Sequence, residues 1–246
     1  TLGDVNGVCR FIQNVAHQAN VTGRDLQVIT CTSFDTPEWD NVFNFKPVFA
    51  TKMPRYEQLE VVLPPLMKIL RHVDRHQPDV IHISTPGPVG LIGYIAAKML
   101  RVPVLGVYHT DFPAYVDRLF DDHGFTKMTE AYMRFFYEPF WAIFTRSEDY
   151  VDSLVKLGMD RKKMVALMPG LETAKFNRSF RDPSVWTRLA EQGVEHAGRD
   201  AVKVLYVGRV SVEKNMPLLR SVWRDVAKRC AAEGLHAQLV VVGDGP

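Results

Sequence analysis

The sequence predicts an α/β protein built on parallel sheets. Short runs rich in β-branched and other apolar residues recur along the chain, and most of them are continuous rather than alternating. Between them lie stretches with the apolar spacing of amphipathic helices. Continuous apolar strands separated by helices indicate parallel sheets covered on both faces, because parallel neighbours are joined by crossovers that are usually helical.

The predicted elements alternate along the whole chain. The strands are 26–31, 80–84, 102–108, 142–145, 164–168, 202–207 and 237–242. The helices are 8–19, 65–76, 89–100, 126–140, 148–157, 183–192 and 216–233. Several helix ends carry their own signals: Pro64 and Pro65 suit a first helical turn, Ser147 suits an N-cap, and Gly158 suits a C-terminal cap.

An interruption in the alternation of strands and helices predicts two domains. Between Gly170 and Asp200 a polar stretch that contains proline leads to a new strand. A length of 246 residues suits one large domain or two modest ones. We therefore expect an N-terminal domain over residues 1–175 and a C-terminal domain over residues 176–246. A single continuous sheet with one long excursion is the alternative.

The composition is that of a globular protein and restricts its partners. Hydrophobic residues make up 46%, charged residues 24%, and the net charge is only +2, so nothing calls for a nucleic acid partner. Cys9, Cys31 and Cys230 are far apart and lack metal-ligand spacing, as expected of reduced thiols in the cytosol. No apolar run approaches the length of a membrane span. We expect a cytoplasmic protein, at most peripheral at the inner face of a membrane.

Two cations follow the strand 202–207. The apolar run stops at Gly208 and is followed by Arg209 and, five residues later, by Lys214. Ligands of open α/β sheets bind beyond the carboxyl ends of the strands. A guanidinium fork combined with a mobile ammonium group suits a diphosphate. The alternative is that both cations are solvated turn residues.

A glycine-containing segment, Gly3-Asp-Val-Asn-Gly7, leads directly into the predicted helix 8–19. Glycines at a helix N-terminus let an anion approach bare backbone N–H groups, and the helix end favours negative charge. An ordinary Asn-Gly turn is the alternative. The segment matches neither the dinucleotide-binding nor the Walker pattern, which argues against nicotinamide and ATP.

Two further loops follow predicted strands. His109 and Asp111 come directly after the strand 102–108, where a histidine can hydrogen-bond a substrate and a carboxylate can orient a hydroxyl group. The alternative is a packed histidine with Asp111 capping the next helix. After the strand 237–242, the glycines around Asp244 admit close approach of a ligand, and the carboxylate can accept hydrogen bonds from a base or ribose. A plain turn is equally compatible.

Other conspicuous residues have simpler explanations. His72 and His76 lie four residues apart, but residue 73 is valine rather than glutamate, so the zinc protease pattern fails and we expect a solvated helix end. The aromatic stretch 132–141 is expected to be core rather than a membrane contact. No Asp-x-Asp pair occurs, so the minimal carboxylate pair for a divalent metal on a diphosphate is absent.

In their order along the chain, these motifs resemble those of the large group of retaining glycosyltransferases called group 1 or family 4, which have the GT-B fold. The most specific match is Val207-Gly-Arg-Val-Ser-Val-Glu-Lys-Asn215, which is similar to the family's G-R-x4-K-N donor-phosphate segment. The other matching blocks are residues 3–8, 82–90, 109–113, 169–176 and 241–246.

The resemblance implies two Rossmann-like domains, an acceptor-side N-terminal one and a nucleotide-sugar-binding C-terminal one that is incomplete here. It implies that Arg209 and Lys214 stabilise the departing nucleoside diphosphate without a metal or other cofactor, and that His109 lies by the transferred sugar. The implied donor-binding residues are Gly7, Val8, Arg209, Lys214, Gly243 and Asp244. The implied acceptor-binding residues are Asn6, Asp111 and Tyr115.

The function implied is retaining transfer of a hexose from GDP-mannose or a UDP-sugar to a lipid or glycan. With a lipid acceptor, residues 134–141 would contact the membrane. The family's Glu-x7-Glu segment is missing and the chain starts without Met, so we expect a chain trimmed at both ends, with weak donor affinity and little or no turnover. The alternative is a nucleotide-binding or scaffold protein of the same fold without transfer activity.

Overall fold

The computed structural model describes residues 2, 6–53, 56–168, 170, 172–193, 198, 201–211 and 214–245. The chain divides into two compact units, Thr1–Pro169 and Gly170–Pro246. This division lies a few residues before the junction expected at 175/176. The two units are described separately below.

The N-terminal unit alternates helices and strands over most of its length. Its helices are α1 (Gly7–Val21), α2 (Leu66–His76), α3 (Pro88–Leu100), α4 (Phe112–Phe120), α5 (His123–Tyr137) and α6 (Glu148–Lys156). Its strands are β1 (Val28–Thr30), β2 (Val42–Asn44), β3 (Phe49–Met53), β4 (Tyr56–Leu63), β5 (Ile81–Ile83), β6 (Val104–Tyr108), β7 (Ala142–Thr145) and β8 (Met164–Ala166). A short 3₁₀ helix, Arg161–Lys163, precedes β8.

The main sheet of this unit has the order β5-β6-β7-β8, and all its neighbouring pairs are parallel. β1 and β2 form a separate parallel pair. β3 and β4 form an antiparallel pair, which the sequence analysis did not predict. The predicted α/β class with parallel sheets is confirmed.

The core of the N-terminal unit lies between the main sheet and its helices. Met133, Phe136, Tyr137 and Phe140 come from the predicted aromatic stretch, and each is at most 2% exposed. Phe140 packs directly over β6 at Gly106, where a Cβ atom would come within 2.5 Å of the phenylalanine ring. The stretch is therefore mainly core, as predicted, although its other members Phe135 and Trp141 are exposed.

The helix boundaries show where local signals decide. Ser147 caps α6 by accepting a hydrogen bond from the Tyr150 N–H, and Gly158 follows the end of α6 with a positive φ, both as predicted. The prediction of a helix over 126–140 was three residues too late at both ends. The observed α5 starts early because Asp122 accepts hydrogen bonds from its first N–H groups, and it ends before Pro139, which has no N–H to continue the helix.

The histidine pair on α2 is not simply a solvated helix end. His72 is half-buried. Its ring centroid lies 4.4 Å from that of Phe43 and 4.1 Å from that of His76. Burial lowers the pKa of His72, and the neighbouring His76 and Arg75 lower it further. The expectation of a solvated end was wrong for His72, because β2 brings an aromatic ring against it.

The C-terminal unit contains one described parallel strand pair. After the short 3₁₀ helix Arg178–Phe180 come α7 (Val185–Glu191), β9 (Val202–Val207), α8 (Met216–Ala232) and β10 (Ala237–Val242). β9 and β10 pair in parallel over their whole length, from Val202 opposite Ala237 to Val207 opposite Val242. Both strands have the predicted bounds. A helix connects two parallel neighbours here, which is the βαβ arrangement expected of a Rossmann-like unit.

Candidate functional site

The carboxyl edge of the main sheet carries the candidate site residues of the N-terminal unit. β6 and β7 are parallel neighbours, with Tyr108 opposite Thr145 at their last pair. The residues that follow, His109 and Arg146, therefore leave the sheet at the same edge. The sequence analysis singled out His109 but not Arg146, although the position of Arg146 directly after a predicted strand was a usable signal.

His109 contacts a part of the chain that is distant in sequence. Its ring meets the ring of Phe11, on α1, in an edge-on arrangement with centroids 5.2 Å apart. Both ring nitrogens are buried, and neither has a hydrogen-bond partner in the described structure. Burial, with smaller contributions from Arg146 and His82, lowers the pKa of His109 to about 4. The imidazole is therefore neutral at neutral pH.

Asp111 is engaged within the chain. Its Oδ1 accepts hydrogen bonds from the Tyr108 hydroxyl at 3.1 Å and from the Ala114 N–H at 3.3 Å, and its Oδ2 accepts one from the Ser153 hydroxyl at 2.7 Å. It is the N-cap of α4. This is the capping role considered from the sequence, and an acceptor-binding role for Asp111 stays a prediction.

Tyr115 belongs to α4 and is half-buried, with its N–H donating to the Asp111 carbonyl at 2.9 Å. Its position, one turn beyond the end of β6, keeps it near the same sheet edge. Its predicted acceptor contact is untested by this geometry and stays a prediction.

The start of α1 is capped by its own asparagine. The Asn6 Oδ1 accepts hydrogen bonds from the Val8 and Cys9 N–H groups at 3.0 and 2.9 Å. The Val8 N–H, predicted to face a donor phosphate, is thus occupied by the Asn6 side chain. Gly7 has open space where a side chain would stand. The other residues of this predicted motif, 3–5, lie outside the described residues.

The candidate site residues of the C-terminal unit lie where β9 and β10 end. The pairing continues beyond the strands, since the Gly208 N–H donates to the Val242 carbonyl at 3.0 Å and the Val210 N–H to the Asp244 carbonyl at 2.8 Å. At Gly243, which has a φ of +148°, a Cβ atom would overlap the Gly208 carbonyl. The two loops therefore run closer together than side chains at this position would allow.

This close pairing brings Arg209 and Asp244 to one edge. The Arg209 carbonyl accepts a hydrogen bond from the Tyr206 hydroxyl at 2.8 Å, which ties the loop back to β9. Lys214 is exposed two residues before α8 begins, and the nearby Ser211 hydroxyl is buried without a hydrogen-bond partner in the described residues. Residues 212 and 213 of the predicted phosphate-binding motif lie outside the described residues.

No metal-binding cluster accompanies these residues. Among the described residues, no group of three or more histidine, cysteine, aspartate or glutamate side chains is arranged to hold an ion. Cys9, Cys31 and Cys230, which all lie within the described residues, form no disulfide.

Curated relatives match almost the whole chain. It is 28% identical over 245 residues to the sulfoquinovosyl transferase SQD2 of Arabidopsis thaliana, covering 98% of this chain and 45% of that protein. It is 26% identical to the alpha-monoglucosyldiacylglycerol synthase of Streptococcus pneumoniae (98% and 53%) and 26% identical to a GDP-mannose-dependent alpha-mannosyltransferase of Mycobacterium tuberculosis (99% and 60%). The chain thus spans about half the length of the curated relatives it matches.

The fold also matches a solved structure. The Anabaena protein Alr3699/HepE in complex with UDP and glucose superposes with a TM-score of 0.63 at 15% identity, covering 99% of this chain and 59% of that one. At this identity the likeness shows the shared fold, and it confirms the predicted GT-B type of α/β architecture. The family profile of Glycosyltransferase Family 4 matches residues 5–175, well over half of the chain. The chain belongs to glycosyltransferase family 4.

Proposed function

We propose that the protein transfers a hexose, with retention of configuration, from a nucleotide diphosphate sugar to a lipid or glycan acceptor. This proposal is carried by one observation: Arg209 and Asp244 lie opposite each other where β9 and β10 end, and Lys214 comes five residues after Arg209 in the chain. Two of the relatives point to the substrates, since one is named for GDP-mannose and another for a diacylglycerol product. GDP-mannose and a UDP-sugar are the donors to test.

The chemistry needs positive charge where the leaving group departs. Breaking the bond from the sugar to the diphosphate concentrates negative charge on phosphate oxygens. The Arg209 guanidinium can bind two such oxygens at once, and the Lys214 ammonium adds a second charge. Cations already in position lower the barrier without a metal, because they favour the transition state over the bound donor. Gly243, whose close approach to the Gly208 carbonyl fixes the shape of this loop, would lie at the nucleotide, and Asp244 would accept hydrogen bonds from the ribose or base.

His109 suits a contact with the transferred sugar. Because its pKa is lowered to about 4, it is neutral at pH 7 and can donate one hydrogen bond and accept another. Its unprotonated ring nitrogen can accept a hydrogen bond from a sugar hydroxyl group, which leaves its single N–H for a second partner. An imidazole with so low a pKa is a weak general base, which agrees with a mechanism in which His109 positions the sugar and the departing phosphate takes the proton of the acceptor hydroxyl group.

Calorimetric titration with GDP, UDP, GDP-mannose and UDP-glucose, without added metal, tests the donor site. The variant Arg209→Ala/Lys214→Ala should weaken nucleotide binding by at least about 100-fold, because two charge-assisted hydrogen-bonding groups are lost. The matched control is Arg220→Ala/Lys228→Ala, which removes the same charges from exposed positions on α8. Equal affinities in both variants would refute the assignment.

Turnover is a separate measurement. The expectation that the 246-residue chain transfers little or no sugar stays a prediction, and transfer of radiolabelled hexose to a diacylglycerol or glycan acceptor tests it. Steady transfer by this chain would refute that expectation. A full-length protein that binds the nucleotide without any turnover would instead support the scaffold alternative and refute the proposed reaction.

We further propose a cytoplasmic location with peripheral contact to the inner face of a membrane. No helix among the described residues combines the length and apolar character needed to cross a bilayer. Phe135 and Trp141 are 66% and 73% exposed, and Phe135 follows the exposed Arg134 in sequence. Exposed aromatic and basic residues within one segment have the composition of an interfacial contact.

Vesicle flotation tests the membrane contact. The protein should float with vesicles of phosphatidylcholine and phosphatidylglycerol and do so less with phosphatidylcholine alone. Phe135→Ser/Trp141→Ser should reduce flotation at least several-fold, whereas Phe176→Ser/Phe180→Ser, which removes two equally exposed aromatic rings from the other unit, should not. Equal flotation of the two variants would count against this surface.

A further inference from the structure

We propose that Arg146 and His109 form a binding site for a phosphate group on the acceptor, with Phe11 holding the guanidinium in place. This inference rests on the proposed transfer reaction, which it deepens by naming the acceptor class. It concerns only residues of the N-terminal unit. The candidate ligand is a phosphate monoester or diester, recognised by its charge and its oxygen geometry.

The first step is the position of Arg146. It follows Thr145, the buried last residue of β7, at the sheet edge where His109 leaves β6. The Cζ atom of Arg146 lies 5.2 Å from the centre of the Phe11 ring, and the same ring contacts His109. A single aromatic side chain of α1 therefore joins the two groups. Stacking on a ring face restrains the guanidinium while its N–H edges remain available.

The second step concerns the hydrogen bonds and ion pairs of the Arg146 guanidinium. In the part of the chain that the structure describes, no ion pair or hydrogen bond involves its guanidinium. Two other exposed arginines have such a partner: Arg188 pairs with Asp182 at 2.7 Å, and Arg161 pairs with Glu148 at 2.5 Å. Glu148 is only two residues from Arg146, yet its carboxylate binds Arg161. The fork of Arg146 is thus left without the carboxylate nearest to it in sequence.

The third step is the state of His109. Both of its ring nitrogens are buried without a partner in the described residues, and a buried polar atom in that state costs free energy unless a ligand satisfies it. Among the described residues, the groups whose charge lowers the pKa of His109 are Arg146 and His82, both of them bases. An anion between Arg146 and His109 would accept from the guanidinium fork and from the imidazole N–H, and it would neutralise the local positive field.

An NMR titration of the histidine ring resonances tests the site directly. Inorganic phosphate and glycerol 3-phosphate are added to the protein over a series of pH values. A bound anion offsets the field of Arg146, so the midpoint of the His109 titration should move to higher pH. Arg146→Met should raise this midpoint without ligand and should weaken the phosphate effect by at least about 10-fold.

Two further variants keep the test specific. Arg146→Lys retains the charge but not the fork, so it should keep the low midpoint and bind phosphate with intermediate strength. Arg71→Met removes an exposed arginine of α2 and should change neither property. The proposal is overturned if phosphate does not move the His109 midpoint, or if Arg146→Met and Arg71→Met respond alike.

Titrations with nucleotides distinguish a phosphate group on the acceptor from the phosphate groups of the nucleotide donor. If the phosphate belongs to the acceptor, Arg146→Met should lose glycerol 3-phosphate binding and keep the affinity for GDP or UDP. Loss of nucleotide binding with intact glycerol 3-phosphate binding would overturn the acceptor assignment. The donor site itself is judged by the Arg209 and Lys214 variant, so failure of the proposed function and failure of this inference give different results.

Discussion

Asp111→Ala should destabilise the N-terminal unit by about 2–4 kcal/mol. Loss of the N-cap of α4 costs about 1 kcal/mol. Tyr108 is 0% exposed, so its hydroxyl group cannot turn to water, and a buried donor left without an acceptor costs about 1–3 kcal/mol. Ser153 is only half-buried and contributes less, since its hydroxyl can be hydrated. Burial, followed by the nearby Asp111 charge, raises the pKa of Tyr108, so the hydroxyl stays protonated as a donor at neutral pH.

Urea unfolding followed by circular dichroism measures this cost. Asp111→Asn is the matched control, because its amide oxygen can still accept from the Ala114 N–H and from Tyr108, and its amide nitrogen can donate to Ser153. Asparagine is also as good an N-cap as aspartate. We expect Asp111→Asn to cost about 1 kcal/mol or less.

A double-mutant cycle isolates the contact between Tyr108 and Asp111. In a Tyr108→Phe background no buried hydroxyl is orphaned, so Asp111→Ala should cost about 1–3 kcal/mol less than it does in the native background. The reasoning is refuted if Asp111→Ala and Asp111→Asn have the same small effect, below about 0.5 kcal/mol, or if the cycle shows no coupling. A stable Asp111→Asn protein would also let the predicted acceptor contact be measured apart from the cap.

Three other substitutions have definite expected effects on the free energy of unfolding. Gly106→Ala should cost about 1–3 kcal/mol, because its Cβ would lie 2.5 and 2.7 Å from ring atoms of the fully buried Phe140. Glu60→Gln should cost about 1–3 kcal/mol at pH 7 and less at pH 3. Burial alone would raise the pKa of Glu60, but the hydrogen bonds to its carboxylate outweigh burial and lower the pKa below its ordinary 4.5. The ionised carboxylate therefore contributes stability above pH 4.5, and this contribution is lost as the pH falls through the folded-state pKa. Gly243→Ala should destabilise the edge of β9 and β10, because its Cβ overlaps the Gly208 carbonyl.

Each of these has a matched control. Gly93→Ala on α3 meets neighbours only at 3.6 Å or more and should be neutral or stabilising, so equal effects at positions 93 and 106 would contradict the packing argument. Glu191 is exposed, so Glu191→Gln should not change how the free energy of unfolding depends on pH. If Glu60→Gln keeps the native dependence of the free energy of unfolding on pH, the Glu60 carboxylate is not the cause of that dependence. Gly234 has a positive φ but nothing within 4 Å, and Gly234→Ala should cost less than Gly243→Ala.

Glu60 explains why part of the fold was not predicted. In β4 the charged Glu60 and Val62 are buried, whereas Val61 and Leu63 are 48% and 57% exposed. The pattern along the sequence gives no reason to bury a glutamate. It is buried because the hydroxyl groups of Thr32 and Ser33 and the Ser33 N–H donate to its carboxylate from a segment 27 residues or more away. Such a partner is visible only after folding.

Local chemistry alone was enough for much of the remaining framework. The mainly apolar runs at 142–145, 202–207 and 237–242 predicted β7, β9 and β10 at their observed bounds, because such runs are typical of parallel strands. The nine-residue α4 was missed, since it is short and begins at Phe112 directly after a loop, with Pro113 as its second residue. The motif order predicted the family, because phosphate-binding loops keep their glycines and cations in fixed spacing after a strand.

The sequence by itself therefore determined the fold class, the family and the strand ends at which His109, Arg209 and Asp244 stand. These depend on short-range patterns of apolar and turn-forming residues. Only the tertiary structure decided that the pKa of His109 is lowered and that no described residue hydrogen-bonds to its buried ring nitrogens. It likewise decided that Arg146 stacks on Phe11 beside His109, and that the Asp111 carboxylate is already engaged with Tyr108 and Ser153. Charge state and hydrogen bonding depend on atoms a few ångströms away in space, and here those atoms come from segments far apart in the chain.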